Sequence, residues 1–447
     1  MNHCECPLKT RREFLRSTLL GGALSWTVPT FVSQTFSALH AQTLDSATQI
    51  ATGKDAPILV LVQLAGGNDG LNTVVPYTND HYFKARPLLA HKADSILKIN
   101  DTVGLAPNLG GLKSIYDEGH LSIIQGVGYP NPNRSHFRST EIWQTASESD
   151  RFEKYGWLGR YFDNACRGAD PTVGISFGPQ TPQSFSAKTP VGVSLNNPQN
   201  YRFNAGADGN MKGESEAAYR SLNAPEESLE PGGGATAGGS IGAVTGDTMT
   251  GLSPIDFIER TALDAQVSSD KILALLKQPY NSTANYPNAA LGQQLRTIAR
   301  FIAGGLPTRV FYVSLGGFDT HNQQPGAHDR LMRDLGDSLK AFCDDLKAQG
   351  NFERVMVMTF SEFGRRVEQN ANNGTDHGAA APMFLCGGGV KSGLLSTYPS
   401  LAPADLLNGD LKYTMDFRSV YAGVLERWLK TPSKPILGKA FDPLAVC

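Results

Sequence analysis

The sequence predicts an α/β fold: a central, mostly parallel sheet with helices on both faces, and an inserted cap or loop region at about 150–250. Three observations predict it. Apolar runs of strand length recur without polar alternation, the pattern of strands buried on both faces. They alternate with amphipathic helical segments, as crossover connections require. The early runs also stop at glycine-rich turns, which lets chemistry-bearing side chains sit just past the strand ends.

The elements follow in order. "APILVLVQLAGGNDGLN" (56–72) is a continuous apolar run ending in such a turn. "GHLSIIQGVGYPNPNRSHFRSTEIWQTA" (119–146) is a short apolar run, a Pro/Asn loop, and a segment able to be helical from Ser135, with Trp143 in the core. From about 150 to 250, short apolar fragments among Asn, Gln, Pro and Ser read as the insertion. Within it, "SLEPGGGATAGGSIGAVTGDTMTG" (228–251) has little to bury and reads as a flexible loop or linker. A helical stretch over 254–278 leads back to the sheet, and "TRVFYVSLGGFDTHNQQ" (308–324) repeats the sequence of strand, glycines and loop. Over 328–350, Leu331, Leu335, Leu339, Phe342 and Leu346 recur at helical spacing, with Gly350 as the stop. "FERVMVMTFSEFG" (352–364) and "APMFLCGGGV" (381–390) are the last strands. No solenoid-type repeat is present.

The chain has 447 residues, ample for one large domain, and this reading gives it residues 55–447. Its net charge of −2 gives no global reason to expect nucleic acid or an anionic membrane as partner. Residues 1–41 form a separate unit. Arg11-Arg12, followed by Glu13, Phe14 and Leu15, opens a moderately apolar stretch that closes on small residues around Ala38 and Ala41. This layout resembles a twin-arginine export signal, so the expected partner is the twin-arginine machinery and the expected location is the periplasm or beyond. Ser, Thr, Gly and Pro29 make the stretch a poor membrane anchor, and the mature chain is expected to carry no transmembrane segment. Cys166, Cys343, Cys386 and Cys447 lack metal-type spacing, and Cys343 and Cys386 read as buried free thiols.

The chemistry gathers where strands stop. Asp69 follows the first strand, Asp319 and His321 follow the 308–315 strand, and Glu362 follows the 354–360 strand. Asp376 and His377 precede the last strand. Carboxylates and imidazoles brought to one sheet edge would repel one another without a cation, and a mixed Asp, Glu and His set suits zinc, manganese or iron. Ser135 stands at a helix start, where it serves as an N-cap or as a hydroxyl nucleophile beside the metal. His136 and Asn68 are possible ligands or orienting groups. One of Arg365 and Arg366 is available to hold a substrate anion, with Arg365 the candidate, and the other opens a solvated segment. Each acidic residue also has a plain use in its own turn. His81, His91, His120 and His328 read as surface or capping residues.

Taken together, "AGGNDGLNTVVPY", "NRSHFRSTEIWQTA", "GGFDTH", "FSEFGR" and "GTDHG" resemble the twin-arginine-exported bacterial family known as domain of unknown function 1501, placed within the alkaline phosphatase and sulfatase superfamily. The resemblance runs from about residue 55 to the C-terminus. It implies an alkaline phosphatase-like fold and a centre of one or two divalent metal ions, zinc or manganese. It also implies Asp69 as the early metal ligand, Ser135 as nucleophile, Asp319 with His321 as a ligand pair, Glu362 at an Asp position and His377 as the final His. Phe363 stands where the superfamily places a further His ligand, which His136 could replace. The Cys/Ser-x-Pro-x-Arg sulfatase signature is absent. The expected function is an exported metal-dependent hydrolase of phosphate or sulfate esters, small or polymeric. The alternative is a non-catalytic exported binding or assembly protein on the same fold.

Overall fold

The computed structural model describes residues 56–447 except 168, 189–191 and 197–267. The export signal expected over residues 1–41 and the loop expected at 228–251 therefore lie outside the described residues. In chain order the strands are β1 (Ile58–Ala65), β2 (Val74–Val75), β3 (Leu97–Lys98), β4 (Gly104–Leu105), β5 (Leu121–Gly128) and β6 (Gly174–Phe177). They continue with β7 (Val193–Leu195), β8 (Val310–Gly316), β9 (Val355–Phe360), β10 (Ala381–Cys386), β11 (Gly393–Leu395) and β12 (Met415–Asp416). β2, β4 and β3 make a small antiparallel sheet.

The other nine strands form one mixed, mostly parallel sheet in the order β11-β5-β10-β9-β1-β8-β6-β7, with β12 also paired to β5. β1 sits at its centre, parallel to both β8 and β9. Its side chains divide as the pleat dictates. Ile58, Val60, Val62 and Leu64 enter one core, under the helices Gly110–Asp117, Ala290–Ala303 and Gln324–Ala348. Leu59 and Leu61 enter the other, under the helices His136–Thr145, Trp157–Ala165 and Phe417–Gly423. Burial on both faces is the reason the run shows no polar alternation. Trp143 stacks on Phe417 in that second core, with ring centroids 4.3 Å apart.

Three features differ from the sequence expectation. β10 is antiparallel to both β9 and β5, so among the described strands of the large sheet it alone is reversed. An apolar run carries no sign of its direction, and the reversal decides where the site lies. Strands β6 and β7 come from the segment read as an insertion, yet they extend the large sheet at its edge. The long helix also starts four residues earlier than its leucine spacing indicates, at Gln324. Pro325 lies in its first turn, where no donor is needed, and the Gln324 amide donates to the Asn373 carbonyl at 2.9 Å. Of the 254–278 stretch, the described part is helical over 268–277. Cys166, Cys343, Cys386 and Cys447 are free thiols, the first three buried. Among the described residues no helix is long and apolar enough to cross a membrane.

Candidate metal centre

Four loops meet at one edge of the large sheet. Those after β1, β5, β8 and β9 all leave carboxyl ends, as ligand-bearing loops of parallel sheets do. The loop after β9 also carries Asp376 and His377 and leads into β10, whose beginning falls at the same edge because β10 is reversed. The close fit is visible at Gly66 and Gly67, whose φ angles are +120° and +83°. A Cβ at Gly66 would lie 2.4 Å from the Asp319 amide nitrogen, and one at Gly67 would lie 2.3 Å from the Phe363 ring. No side chain fits either place.

Asp319 is the focus. Its Oδ1 lies 3.0 Å from Nε2 of His321 and 3.1 Å from Nε2 of His377, and it accepts from Arg365 at 2.7 Å. Its Oδ2 lies 3.5 Å from Nε2 of His136. The two nitrogens of His321 and His377 are themselves 2.9 Å apart. Ligand atoms of His136, Asp319 and His377 all fall within 4.8 Å of one another.

Each ring is held from behind. Nδ1 of His377 meets the Arg134 carbonyl at 2.8 Å, Nδ1 of His321 meets Oδ1 of Asp376 at 3.1 Å, and Nδ1 of His136 meets Oε1 of Glu362 at 2.9 Å. An acceptor at Nδ1 places the proton there and leaves the lone pair on Nε2. Three imidazole lone pairs therefore face one carboxylate. Phe363 supplies the floor, its ring centroid 4.5 Å from that of His377 and 4.9 Å from that of His136.

These residues fit a divalent cation. Facing lone pairs about 3 Å apart repel unless a positive charge lies between them, and a four-coordinate ion with bonds of about 2.0–2.1 Å sets its donors roughly 3.3 Å apart. Glu362 adds a second sign: Oε1 accepts from the Gly66 amide at 2.8 Å, while Oε2 is buried with no hydrogen-bond partner. Three imidazoles and a carboxylate suit zinc, iron or manganese. Burial pushes the Asp319 carboxyl up, but the Arg365 guanidinium, through its hydrogen bond and its charge, outweighs this and holds it down to about 2. It is an anion throughout the neutral range.

The other expected residues sit elsewhere. Asp69 is fully buried and pairs with Arg86 at 2.6 Å, and it also accepts from the Gln324 amide at 2.5 Å and from the Asn72 backbone at 3.4 Å. Its partners are inside the protein, so it belongs to the core and not to the donor group. Burial pushes its carboxyl up, yet the Arg86 charge and hydrogen bond bring it below its ordinary value. Glu362 orients His136 through Oε1, and Asp376 orients His321 and accepts from Asn370. Asn68 is engaged with Ser361 and Thr73.

Arg365 is fully buried and faces no open space. It donates to the carbonyls of Gly66, Gly67, Phe318 and Thr375 and to Asp319, which makes it the brace of the site and not an anion receptor. Ser135 precedes the helix His136–Thr145 but makes no side-chain cap to it. It is exposed, between Arg134 and His136, both of which touch the donor group.

Sequence reasoning missed Arg86, Gln324, Arg134 and Asp410, each of which acts on a distant segment with no local pattern. It also placed His328 on the surface, whereas the ring is buried, 3.4 Å from Oδ1 of Asn68. Burial pushes this imidazole down to about 4, against the pull of the Asp69 charge. The unfolded ring takes its proton near 6.5, so between pH 6.5 and 4 the unfolded state binds more protons. Stability from this group is complete above 6.5 and falls with acidity down to about 4, by at most roughly 1.4 kcal/mol per pH unit. Urea midpoints at pH 7 and pH 5 check this: the drop should be shallower in His328→Gln than in the wild type. Equal drops would refute it.

Comparison with known proteins follows from this geometry. Residues 258–438 match the family described as "Protein of unknown function (DUF1501)". Comparison with curated proteins finds no match. Among solved structures the chain is similar to a protein of the alkaline phosphatase superfamily from Vibrio parahaemolyticus, at 9% identity and TM-score 0.37, over 93% of this chain and 79% of that one. It is also similar to Ps i-CgsB in complex with k-i-k-neocarrahexaose, at 9% identity and TM-score 0.34, over 86% and 73%. A third is the lipoteichoic acid synthase LtaP from Listeria monocytogenes, at 9% identity and TM-score 0.30, over 79% and 70%. Across residues 258–438 this chain carries a domain of the DUF1501 family, proteins of unknown function.

Proposed function

We propose that the protein is a metal-dependent hydrolase of phosphate or sulfate esters. One observation carries the reading: three imidazoles, each fixed by an acceptor at Nδ1, turn Nε2 toward the single carboxylate of Asp319. His136, His321, His377 and Asp319 would hold the ion. When bound, a divalent ion supplies Lewis-acid polarisation of the ester and lowers the pKa of a nearby hydroxyl.

The remaining work falls to the chain. Ser135 Oγ gives up its proton to solvent and attacks the phosphorus or sulfur, the bond to the leaving oxygen breaks, and that oxygen takes up a proton as the alcohol. Water then attacks the phosphoryl or sulfuryl group on Ser135, releasing inorganic phosphate or sulfate and returning a proton to Oγ. Glu362 and Asp376 keep the His136 and His321 rings in the productive tautomer. Arg365 holds the Asp319 carboxylate and the Gly66-Gly67 turn in one place. Arg11-Arg12 and the stretch behind it support export of the chain by the twin-arginine machinery to the periplasm or beyond.

The test compares wild type with Ser135→Ala on a chromogenic phosphate monoester, a diester and a sulfate, with bound metal measured in parallel. Turnover should fall by roughly a thousand-fold or more while metal content stays unchanged. A metal-loaded wild type that turns over none of the three overturns the reading. It would favour the second one, a non-catalytic binding protein, for which the apolar Phe363 floor under two of the rings speaks.

A further inference from the structure

Beside the donor group lies a pair of arginines whose guanidinium groups nothing above uses. Asp410 is a buried carboxylate, its side chain 1% exposed, and it receives two guanidinium groups. Arg134 donates to Oδ2 through Nε at 2.9 Å and also through Nη2. Arg366 donates to Oδ1 through Nε at 3.4 Å, and its Nη2 donates to the Asn408 carbonyl at 2.6 Å. One carboxylate thus faces two cations. Both guanidiniums remain reachable, with side chains 41% and 36% exposed. Among the described residues neither Nη1 has a hydrogen-bond partner.

The pair is joined by backbone to the metal donors. The Arg134 carbonyl receives Nδ1 of His377, and Arg134 lies two residues before His136. The Arg366 amide donates to the Asp376 carbonyl at 3.0 Å, and Asp376 orients His321. The turn that presents Asp410 is tight: Leu407 and Asp410 bridge across it, and Gly409 has φ +86°. A Cβ there would come within 3.5 Å of Nη2 of Arg366. Guanidiniums already held by an internal acid lose less freedom when they bind, and their planar forks match the oxygens of phosphate and sulfate.

We propose that Arg134 and Arg366, braced on Asp410, form an oxyanion subsite that receives a phosphate or sulfate group of the substrate beside the metal centre. The assignment rests on the hydrolase reading for its purpose, but not for its measurement. The full chain, stripped of metal with EDTA, is titrated calorimetrically with inorganic phosphate and, separately, with inorganic sulfate. Saturable binding is expected, weakened roughly ten-fold in Arg366→Gln and in Arg134→Gln, and partly restored in Arg366→Lys. The anion bound more tightly identifies which ester class the subsite favours. Should Arg134→Gln fail to fold, the half-exposed Arg366 pair of variants carries the comparison. Absence of saturable binding of either anion, or binding that neither substitution weakens, overturns the subsite. Because no turnover is read, a wild type without esterase activity leaves this result intact, and the two failures are distinguishable.

Discussion

His377→Ala yields a folded protein that retains no divalent metal on dialysis and turns over no ester. The ring is the most connected imidazole of the centre: Nε2 lies 2.9 Å from His321 and 3.1 Å from Asp319, and its face lies against Phe363. Loss of an outer partner of a metal ligand already costs about 10–100-fold in affinity, and loss of the ligand itself costs more. Removing it also frees the Arg134 carbonyl, which is exposed enough to find water. Elemental analysis of zinc, manganese and iron, beside a thermal unfolding curve, checks the result. Wild-type metal stoichiometry in the variant would dismiss His377 as a ligand.

Arg365→Met destabilises the fold more than any substitution at the donors themselves. The guanidinium reaches four carbonyls and one carboxylate drawn from the loops after β1 and β8 and from Thr375 of its own loop. Methionine fills similar volume but donates nothing, so these buried acceptors lose their partners together. Breaking such a buried charged network costs about 3–5 kcal/mol, a large share of the roughly 5–15 kcal/mol by which a domain is stable. Arg365→Lys should recover little, since one ammonium cannot span five acceptors in a plane. Guanidinium chloride unfolding measures both variants. A Met variant within about 0.5 kcal/mol of wild type would show that the brace is dispensable.

How much of this was legible in the sequence depends on how local each signal is. The strand ends were legible because an uninterrupted apolar run states where the sheet stops, and Asp319, His321 and His377 follow from that. Their grouping is observed: all three meet within about one hydrogen-bond length. Asp69 looked like a ligand for the same reason, but its fate is set by Arg86, which lies 17 residues further on in a stretch with no motif. Arg365 looked available because charge suggests solvent; its burial is decided by carbonyls nearly 300 positions away in the chain. Glu362 was placed at the site as a ligand; there Oε1 orients His136 while the buried Oε2 has no hydrogen-bond partner. The direction of β10 had no signal at all, since apolar composition is the same read either way.

That reversal has a consequence in time. The Arg134 carbonyl and the His377 ring it holds are 243 residues apart, and His377 reaches the site only when β10 has been laid in backwards beside β9. A nascent chain emerging from the ribosome therefore owns no complete binding centre until nearly all of the sheet has been synthesised and zipped. Any ion bound by this donor group would be captured late in biogenesis, after closure of the scaffold.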